Sequence, residues 1–121
     1  MRLASLLPKV RQGPLSMPAR QALELATLGG AAALGLSDQL GSLEAGKRAD
    51  LVVLNLQKPH SSPGGDDIYG RIVYSARATD VEQVVVDGRT VVRNGRLVDH
   101  DAREVALRAE VEAKRVTQGL A

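Results

Sequence analysis

The chain has 121 residues, a formal net charge of +2 and 44% hydrophobic residues, which suffices for one domain with a core but not for a complete (β/α)8 barrel of about 250 residues. Its only aromatic side chains are two tyrosines and it has no cysteine, so nucleic-acid binding, a disulfide framework and thiolate chemistry are not expected. No apolar run approaches the ~18 residues of a membrane span, and we expect a cytoplasmic protein with neither a membrane nor a nucleic-acid partner.

The N-terminal residues predict two helices. Apolar residues recur at helical spacing over residues 2–11, which predicts an amphipathic helix. Gln12-Gly13-Pro14 would end this helix, because glycine and proline do not continue it. Pro18 suits the first turn of a second helix, whose apolar stripe would include Ala22 and Leu25.

A third helical piece is predicted after Thr27. This threonine is a suitable cap for a short helix over residues 31–34, and Gly35 would end that helix. Gly29 and Gly30 weaken the stretch by roughly 1 kcal/mol per glycine relative to alanine. We therefore expect another backbone to approach closely at this glycine pair.

The segment over residues 41–54 carries the clearest pattern in the chain. Glu44 to Lys47 predicts a tight turn, in which Gly46 can adopt a positive φ. The apolar run Leu51-Val52-Val53-Leu54 is typical of a strand that is buried on both faces. Together these features predict a hairpin over residues 38–54.

The second half of the chain predicts a loop followed by a β-meander. Residues 57–70 are rich in proline, glycine and aspartate, which is typical of a loop, and residues 72–74 form a short apolar run of uncertain type. Residues 81–98 alternate apolar runs with Asp87-Gly88 and Asn94-Gly95, the dipeptides that favour type I′ turns. This pattern predicts three antiparallel strands.

A C-terminal surface helix is expected to follow Asp101, which would cap it. Its small apolar residues form one narrow stripe through which the helix would pack, comprising Ala102, Val105, Ala106, Ala109, Ala113 and Val116. The predicted fold is therefore α+β, with a small, mainly antiparallel sheet between N-terminal helices and a C-terminal helix.

Three blocks of the sequence resemble one family in the expected order. They are Ala22-Leu23-Glu24-Leu25-Ala26-Thr27 with its continuation to Leu36, the segment 41–54, and the stretch from Val73 to Leu97. Residues 1–7 are also similar to a helix of that family. The chain thus resembles the C-terminal region of the metal-dependent amidohydrolases, in the branch of chlorohydrolases and nucleobase or nucleoside deaminases.

The resemblance implies a division of the chain and a catalytic mechanism. Residues 1–36 would correspond to the last helices of a barrel, residues 37–100 to a β-rich composite domain that is part of a β-sandwich, and residues 101–121 to the terminal helix. In full-length members the barrel binds one divalent metal, usually zinc or iron, and metal-bound water attacks a carbon that carries an amine or halide leaving group. Histidines, including a His-x-His pair, and an aspartate are the ligands.

This chain departs from the family at those ligands. Its two histidines, His60 and His100, are not in a His-x-His pair. No position therefore matches a metal-binding or catalytic residue of the family, and we assign no catalytic residue, no metal ligand and no cofactor to this chain. Zinc or iron is expected only in a full-length relative.

The remaining candidate residues have plain structural interpretations beside the functional ones. His60 lies in a Pro-His loop, and we keep it as a weak candidate for substrate binding or an interface against a solvated loop histidine. His100 stands between Asp99 and Asp101, but three consecutive residues seldom converge on one metal ion. We therefore interpret Asp101 as a helix cap. Asp66-Asp67 lacks the ligand spacing of a calcium loop. Gly41 to Lys47 lacks the strand-loop-helix context of a phosphate loop.

Three functional hypotheses follow. The chain is the C-terminal portion of an amidohydrolase and is inactive alone, or it is a stand-alone interaction module. A module of this kind would form a homo-oligomer, such as a dimer, or complete a separate barrel, because its helix stripes and sheet edge lack partners. An independent enzyme with unrecognised residues is the third possibility, and no motif supports it.

Overall fold

A computed structural model describes residues 1–119 of the chain. Its helices are α1 (Arg2–Gln12), α2 (Ala19–Glu24), α3 (Gly30–Ala33), α4 (Ile68–Gly70) and α5 (Ala102–Gln118). Its strands are β1 (Leu51–Leu54), β2 (Val81–Val86), β3 (Arg89–Arg93) and β4 (Arg96–Leu97). The predicted α+β fold is confirmed.

The first helix ends as its sequence predicts, but the second and third form one rod. Gly13 follows α1 with a φ of 91°, which glycine adopts at little cost. A π-helical turn over Leu25–Gly29 joins α2 to α3 without a break. Thr27 lies inside this turn and its hydroxyl donates to the carbonyl of Leu23 at 2.9 Å, so the prediction that Thr27 caps a new helix is wrong.

The close backbone approach expected at Gly29 and Gly30 occurs at another glycine. A Cβ on Gly29 or Gly30 would meet only atoms of the same helical rod. A Cβ on Gly41 would lie 2.9 Å from Cβ of Ala31 and 3.1 Å from Cα of Leu28. The segment after the rod therefore folds back onto it at Gly41, where no side chain fits.

A small core lies between the helices. In the described part of the chain its buried apolar residues are Ala22, Ala31 and Val73. Val73 belongs to the apolar run of uncertain type, which forms a π-helical turn over Arg71–Ser75 that continues α4. The predicted loop before it contains a 3-10 turn over Pro59–Ser61.

A buried serine fastens the first helix to this core. Ser5 is completely buried, and its hydroxyl donates to the carbonyl of Met17 at 2.7 Å. The hydroxyl of Tyr74 lies 2.6 Å from the same oxygen. Since a carbonyl can only accept, the single proton of Ser5 goes to Met17, and Tyr74 donates to Ser5. Three separate segments thus meet at one hydroxyl.

The sheet has the order β1-β2-β3-β4 and all its pairs are antiparallel. The predicted meander is β2 to β4, and Asp87 and Asn94 begin its turns with φ of 50° and 51°. Each is followed by a glycine of positive φ, as a type I′ turn requires. One sheet is present in the described residues, so the second layer of a β-sandwich stays a prediction.

Two predictions for the segment before the meander are wrong. Residues 38–50 form turns and bends rather than a strand, so there is no hairpin over residues 38–54, and β1 pairs with β2 instead. The strand β1 is not buried on both faces, because Val52 is 56% and Val53 is 41% exposed. Its apolar character is therefore not explained by contacts within the described residues.

The C-terminal helix forms where predicted but does not pack. Asp101 caps it, since its carboxylate accepts from the backbone N–H of Arg103 at 2.7 Å. Every described residue of α5 is exposed, so the predicted packing through the small-residue stripe is wrong for this chain. The last two residues of the predicted segment 101–121 lie outside the described residues. No helix over residues 1–119 has the length and apolar character needed to cross a membrane.

Candidate functional site

A histidine and a buried aspartate form the most unusual polar contact in the structure. Nε2 of His60 lies 2.7 Å from Oδ2 of Asp80. The Asp80 side chain is 1% exposed, whereas that of His60 is 21% exposed. The 3-10 turn over Pro59–Ser61 presents His60, and Asp80 ends a second short 3-10 turn immediately before β2. The pair therefore joins the loop after β1 to the start of the β2–β3 hairpin.

Hydrogen bonds keep the buried carboxylate ionised. The hydrogen bond from His60, and then the backbone N–H of Arg77 at 2.9 Å, hold the pKa of Asp80 below its ordinary range. Lys58 adds a smaller attraction, while burial acts in the opposite direction. The backbone carbonyl of Asp80 also accepts from Asn55 at 2.8 Å. Asp80 thus connects the end of β1 and the loop that follows it to the start of β2.

This pair lacks the other parts of a nucleophilic site. A histidine beside a carboxylate can act as a base when a hydroxyl or thiol lies within hydrogen-bond reach. Among residues 1–119 the only side-chain hydrogen bond of His60 is the one to Asp80. The hydroxyl of Ser61 is buried without a partner in the described structure. The arrangement therefore orients a loop and shows no acyl-transfer or hydrolytic constellation.

The other sequence candidates lie apart from this pair and from one another. His100 and Asp99 are exposed, and Asp101 is occupied as the cap of α5. The carboxylate of Asp67 accepts from the backbone N–H of Gly70 at 2.9 Å and so caps α4. Among residues 1–119 no group of three His, Cys, Asp or Glu side chains could hold a metal ion.

The segment between Gly41 and Lys47 is held by its own lysine. The ammonium of Lys47 donates to the carbonyl of Ser37 at 2.8 Å and to the hydroxyl of Ser42 at 2.7 Å. The Glu44 carboxylate lies 3.5 Å away. Since an ammonium has three donors, these contacts use the lysine within the loop, which agrees with rejecting a phosphate loop here.

Asp80 and Arg71 were not singled out from the sequence. The guanidinium of Arg71 donates to the carbonyl of Leu56 at 2.9 Å and lies against Gly64. Asp80 lies in the third block of the family resemblance, but an aspartate just before an apolar strand is usually a solvated boundary residue, so that match did not predict a buried partner for His60. The spacing of twenty residues between His60 and Asp80 also follows no periodic pattern.

Comparison with known proteins identifies relatives of nearly the whole chain. The sequence profile described as the amidohydrolase family matches residues 1–91. A 5-methylthioadenosine/S-adenosylhomocysteine deaminase from Desulforudis audaxviator is 45% identical over 99% of this chain and 28% of its own length. A 5′-deoxyadenosine deaminase from Methanosarcina acetivorans is 41% identical over 94% of this chain and 26% of its own length.

Solved structures of similar proteins show the same fold. The crystal structure of an adenosine deaminase from Xanthomonas campestris with bound zinc has a TM-score of 0.87 and 32% identity, over 97% of this chain and 27% of its own. An atrazine chlorohydrolase from Arthrobacter aurescens, complexed with zinc, has a TM-score of 0.77 and 31% identity, over 91% of this chain and 24% of its own. The chain therefore spans about a quarter of the length of these relatives.

Proposed function

The chain belongs to the amidohydrolase family, and on that premise we propose that it is the scaffold portion of a metal-dependent hydrolase. The whole enzyme would break a carbon–nitrogen or carbon–halogen bond, with deamination of an adenosine-type nucleoside as the favoured reaction. The deaminase names of the relatives at 45% and 41% identity support that choice. We also propose a cytoplasmic location for the whole enzyme.

The catalytic metal would be held by residues outside this chain. Zinc is bound in the related adenosine deaminase and atrazine chlorohydrolase structures. The described residues do not fit such an ion, because no three suitable side chains lie together among residues 1–119. The contribution of this chain would be to support the active site by packing, while the His60–Asp80 pair holds the loop after β1.

An uncovered apolar row on the sheet is the observation that carries this proposal. Cross-strand pairing places Val52, Val84, Val92 and Leu97 side by side across all four strands. Val52 is 56% and Leu97 is 43% exposed. An apolar row of this kind normally lies against a second layer, which the remaining three quarters of a full-length enzyme would supply.

The first helix supports the same conclusion. Leu3, Leu7 and Val10 are 70%, 63% and 86% exposed, although their spacing is that of a core-facing stripe. Monomeric proteins seldom leave contiguous apolar surface uncovered. A barrel that packs on α1 would bury these residues, and the helix would then be part of the barrel wall.

Metal analysis and activity of the purified chain test the proposal directly. We expect substoichiometric zinc and no deamination of 5′-methylthioadenosine by the chain alone. A polypeptide that joins it to the upstream coding sequence should bind zinc and release ammonia, and the upstream frame should encode a His-x-His motif. Stoichiometric zinc together with deamination by the 121-residue chain would overturn the proposal.

Self-association is the second candidate function, and the edge strand favours it. In the described residues β1 pairs on one side only, with β2. Val52 and Val53 are exposed on its two faces, and no charged residue lies within the strand to prevent edge pairing. A two-fold pairing of β1 with its copy would give a dimer, which Val53→Lys should dissociate in sedimentation velocity. A concentrated wild-type chain that sediments as a monomer would rule this candidate out.

A further inference from the structure

Two arginines face each other across the last turn of the sheet. Arg93 ends β3 and Arg96 begins β4, and they are direct cross-strand partners on either side of Asn94-Gly95. Side chains of directly opposed residues project from the same face with their Cβ atoms about 5 Å apart. Two like charges in this position destabilise a hairpin, so the arrangement has a cost that the fold alone does not explain.

No carboxylate in the described structure neutralises this pair. None of the ion pairs within residues 1–119 includes Arg93 or Arg96. The nearest acidic side chains by sequence and pairing are engaged elsewhere or exposed. Glu82 accepts from Asn55 at 3.1 Å, and Asp99 is exposed to solvent. Among residues 1–119, neither guanidinium group takes part in an ion pair, so its N–H donors are available to a ligand there.

The same two arginines line an open cleft. Its volume is about 470 Å³, and its walls are formed by Arg93, Asn94, Arg96, Leu97 and Val98. Val98, two positions after Arg96 and therefore on the same side of the sheet, is 46% exposed, so it adds an apolar wall to the cleft, whereas the side chain of Leu97 projects from the opposite face. We call this feature the arginine cleft. It combines two positive charges with an apolar wall, and none of its lining residues belongs to the His60–Asp80 pair.

We propose that the arginine cleft binds the phosphate group of a small organic phosphate monoester. A monoester carries a charge of about −1.5 to −2 near neutral pH and three acceptor oxygens, which matches two opposed guanidinium groups. A single carboxylate would neutralise only one of them. Guanidinium groups bind phosphate in a bidentate manner, and the organic part of the ester would contact Val98, which lines the same cleft.

An NMR titration of the whole ¹⁵N-labelled chain tests this assignment. Phenyl phosphate is the probe, and the Nε–H signals of the arginines and the backbone amides of Asn94 and Gly95 are followed. We expect saturable shifts at these positions, with tighter binding of phenyl phosphate than of inorganic phosphate because of the apolar wall. Equal affinities for the two would show that free phosphate is the ligand and would overturn the monoester assignment.

Substitutions separate the cleft from general attraction of anions. Arg93→Gln and Arg96→Gln should each weaken phenyl phosphate binding by about tenfold, since each removes a charge-assisted hydrogen bond. Arg89→Gln is the matched control, because Arg89 is an exposed arginine of the same strand outside the cleft. It should leave the dissociation constant within about twofold. An equal loss in Arg89→Gln would refute the site.

A charge reversal distinguishes loss of the site from loss of the fold. Arg96→Glu places an opposite charge across from Arg93, which should stabilise the hairpin while abolishing phosphate binding. We expect its β4 amide shifts to report a formed hairpin that does not respond to phenyl phosphate. Binding that survives in folded Arg96→Glu would refute the proposal, as would the absence of localised shifts in the wild-type chain at millimolar ligand.

Discussion

Substituting Gly41 with alanine tests the most closely packed contact between the helical rod and the segment that follows it. Gly41 has a φ of +94°, and a Cβ there would lie 2.9 Å from Cβ of Ala31 and 3.1 Å from the carbonyl oxygen of Thr27. Gly46 has the same φ of +94° but nothing within 4 Å of its Cβ position. The two glycines therefore differ in surroundings while sharing a backbone conformation.

The expected magnitudes follow from this difference. Alanine at either position costs about 1–2 kcal/mol for its left-handed conformation, offset by about 0.4–1 kcal/mol because alanine stiffens the unfolded chain. Gly46→Ala should therefore lower the free energy of unfolding by about 1 kcal/mol. Gly41→Ala has the same backbone cost and also overpacks the contact with Ala31, which adds about 1–3 kcal/mol.

Urea unfolding, followed by far-UV circular dichroism, gives the free energy of unfolding of both variants, provided that its dependence on urea concentration has the same slope in each. The difference between them isolates the contact, because the backbone and unfolded-state effects cancel. Ala31→Gly in the Gly41→Ala background should restore part of the loss, giving a coupling energy in a double-mutant cycle. Equal losses in Gly41→Ala and Gly46→Ala would refute the close approach of the loop to the rod.

Three further substitutions test buried polar contacts and caps. Ser5→Ala should lower the free energy of unfolding by about 1–3 kcal/mol in urea, because it leaves the half-buried Met17 carbonyl and Tyr74 hydroxyl without their buried partner; a loss no larger than that of an exposed serine would contradict this. The hydrogen bond from His60 lowers the pKa of Asp80 below its ordinary 3.8, so its ionised form stabilises the fold above that pH, and the contribution is lost as the pH falls through the lower folded pKa. Asp80→Asn should therefore be less stable than wild type at neutral pH and converge with it in acid, and parallel profiles of urea midpoint against pH would exclude this role. Asp101→Ala should reduce the helical signal of α5 and cost about 1 kcal/mol, whereas Asp99→Ala, two residues before the cap, should have little effect in the same circular dichroism measurement.

Local signals in the sequence predicted local structure well. Asp87-Gly88 and Asn94-Gly95 specify their turns through positive φ at adjacent residues, which needs no information from the rest of the chain. Asp101 caps α5 for the same reason, since its partner is two residues away. The His60–Asp80 pair could not be predicted, because it depends on how the loop after β1 returns to β2.

Conformation at Thr27 and over residues 38–50 was decided by packing rather than by local preference. Threonine favours a helix cap, but inside the rod its hydroxyl bonds back to Leu23 and permits the helix to continue. Residues 38–50 form a closed loop instead of a strand, in which Lys47 donates to Ser37 and Ser42 and the backbone N–H of Arg48 donates to the carbonyl of Gln39 at 2.9 Å.

The wrong predictions of burial for apolar residues all have one direction, and this bears on the function. The strand Leu51–Leu54 and the stripe of α5 were each expected to be covered by packing, yet Val52, Val53 and every described residue of α5 are exposed. Side chains that are suited to an interior gain nothing from an exposed position, since burial of apolar area is the main favourable term in folding. If the errors came only from weak patterns, some apolar residues predicted to be exposed would also have been found buried. Among apolar residues over 1–119 only Ala22, Ala31 and Val73 are buried. The apolar pattern therefore fits a packed unit that is larger than residues 1–119. A chain that corresponds to a quarter of an amidohydrolase would have such surfaces, because they would pack against the rest of the enzyme.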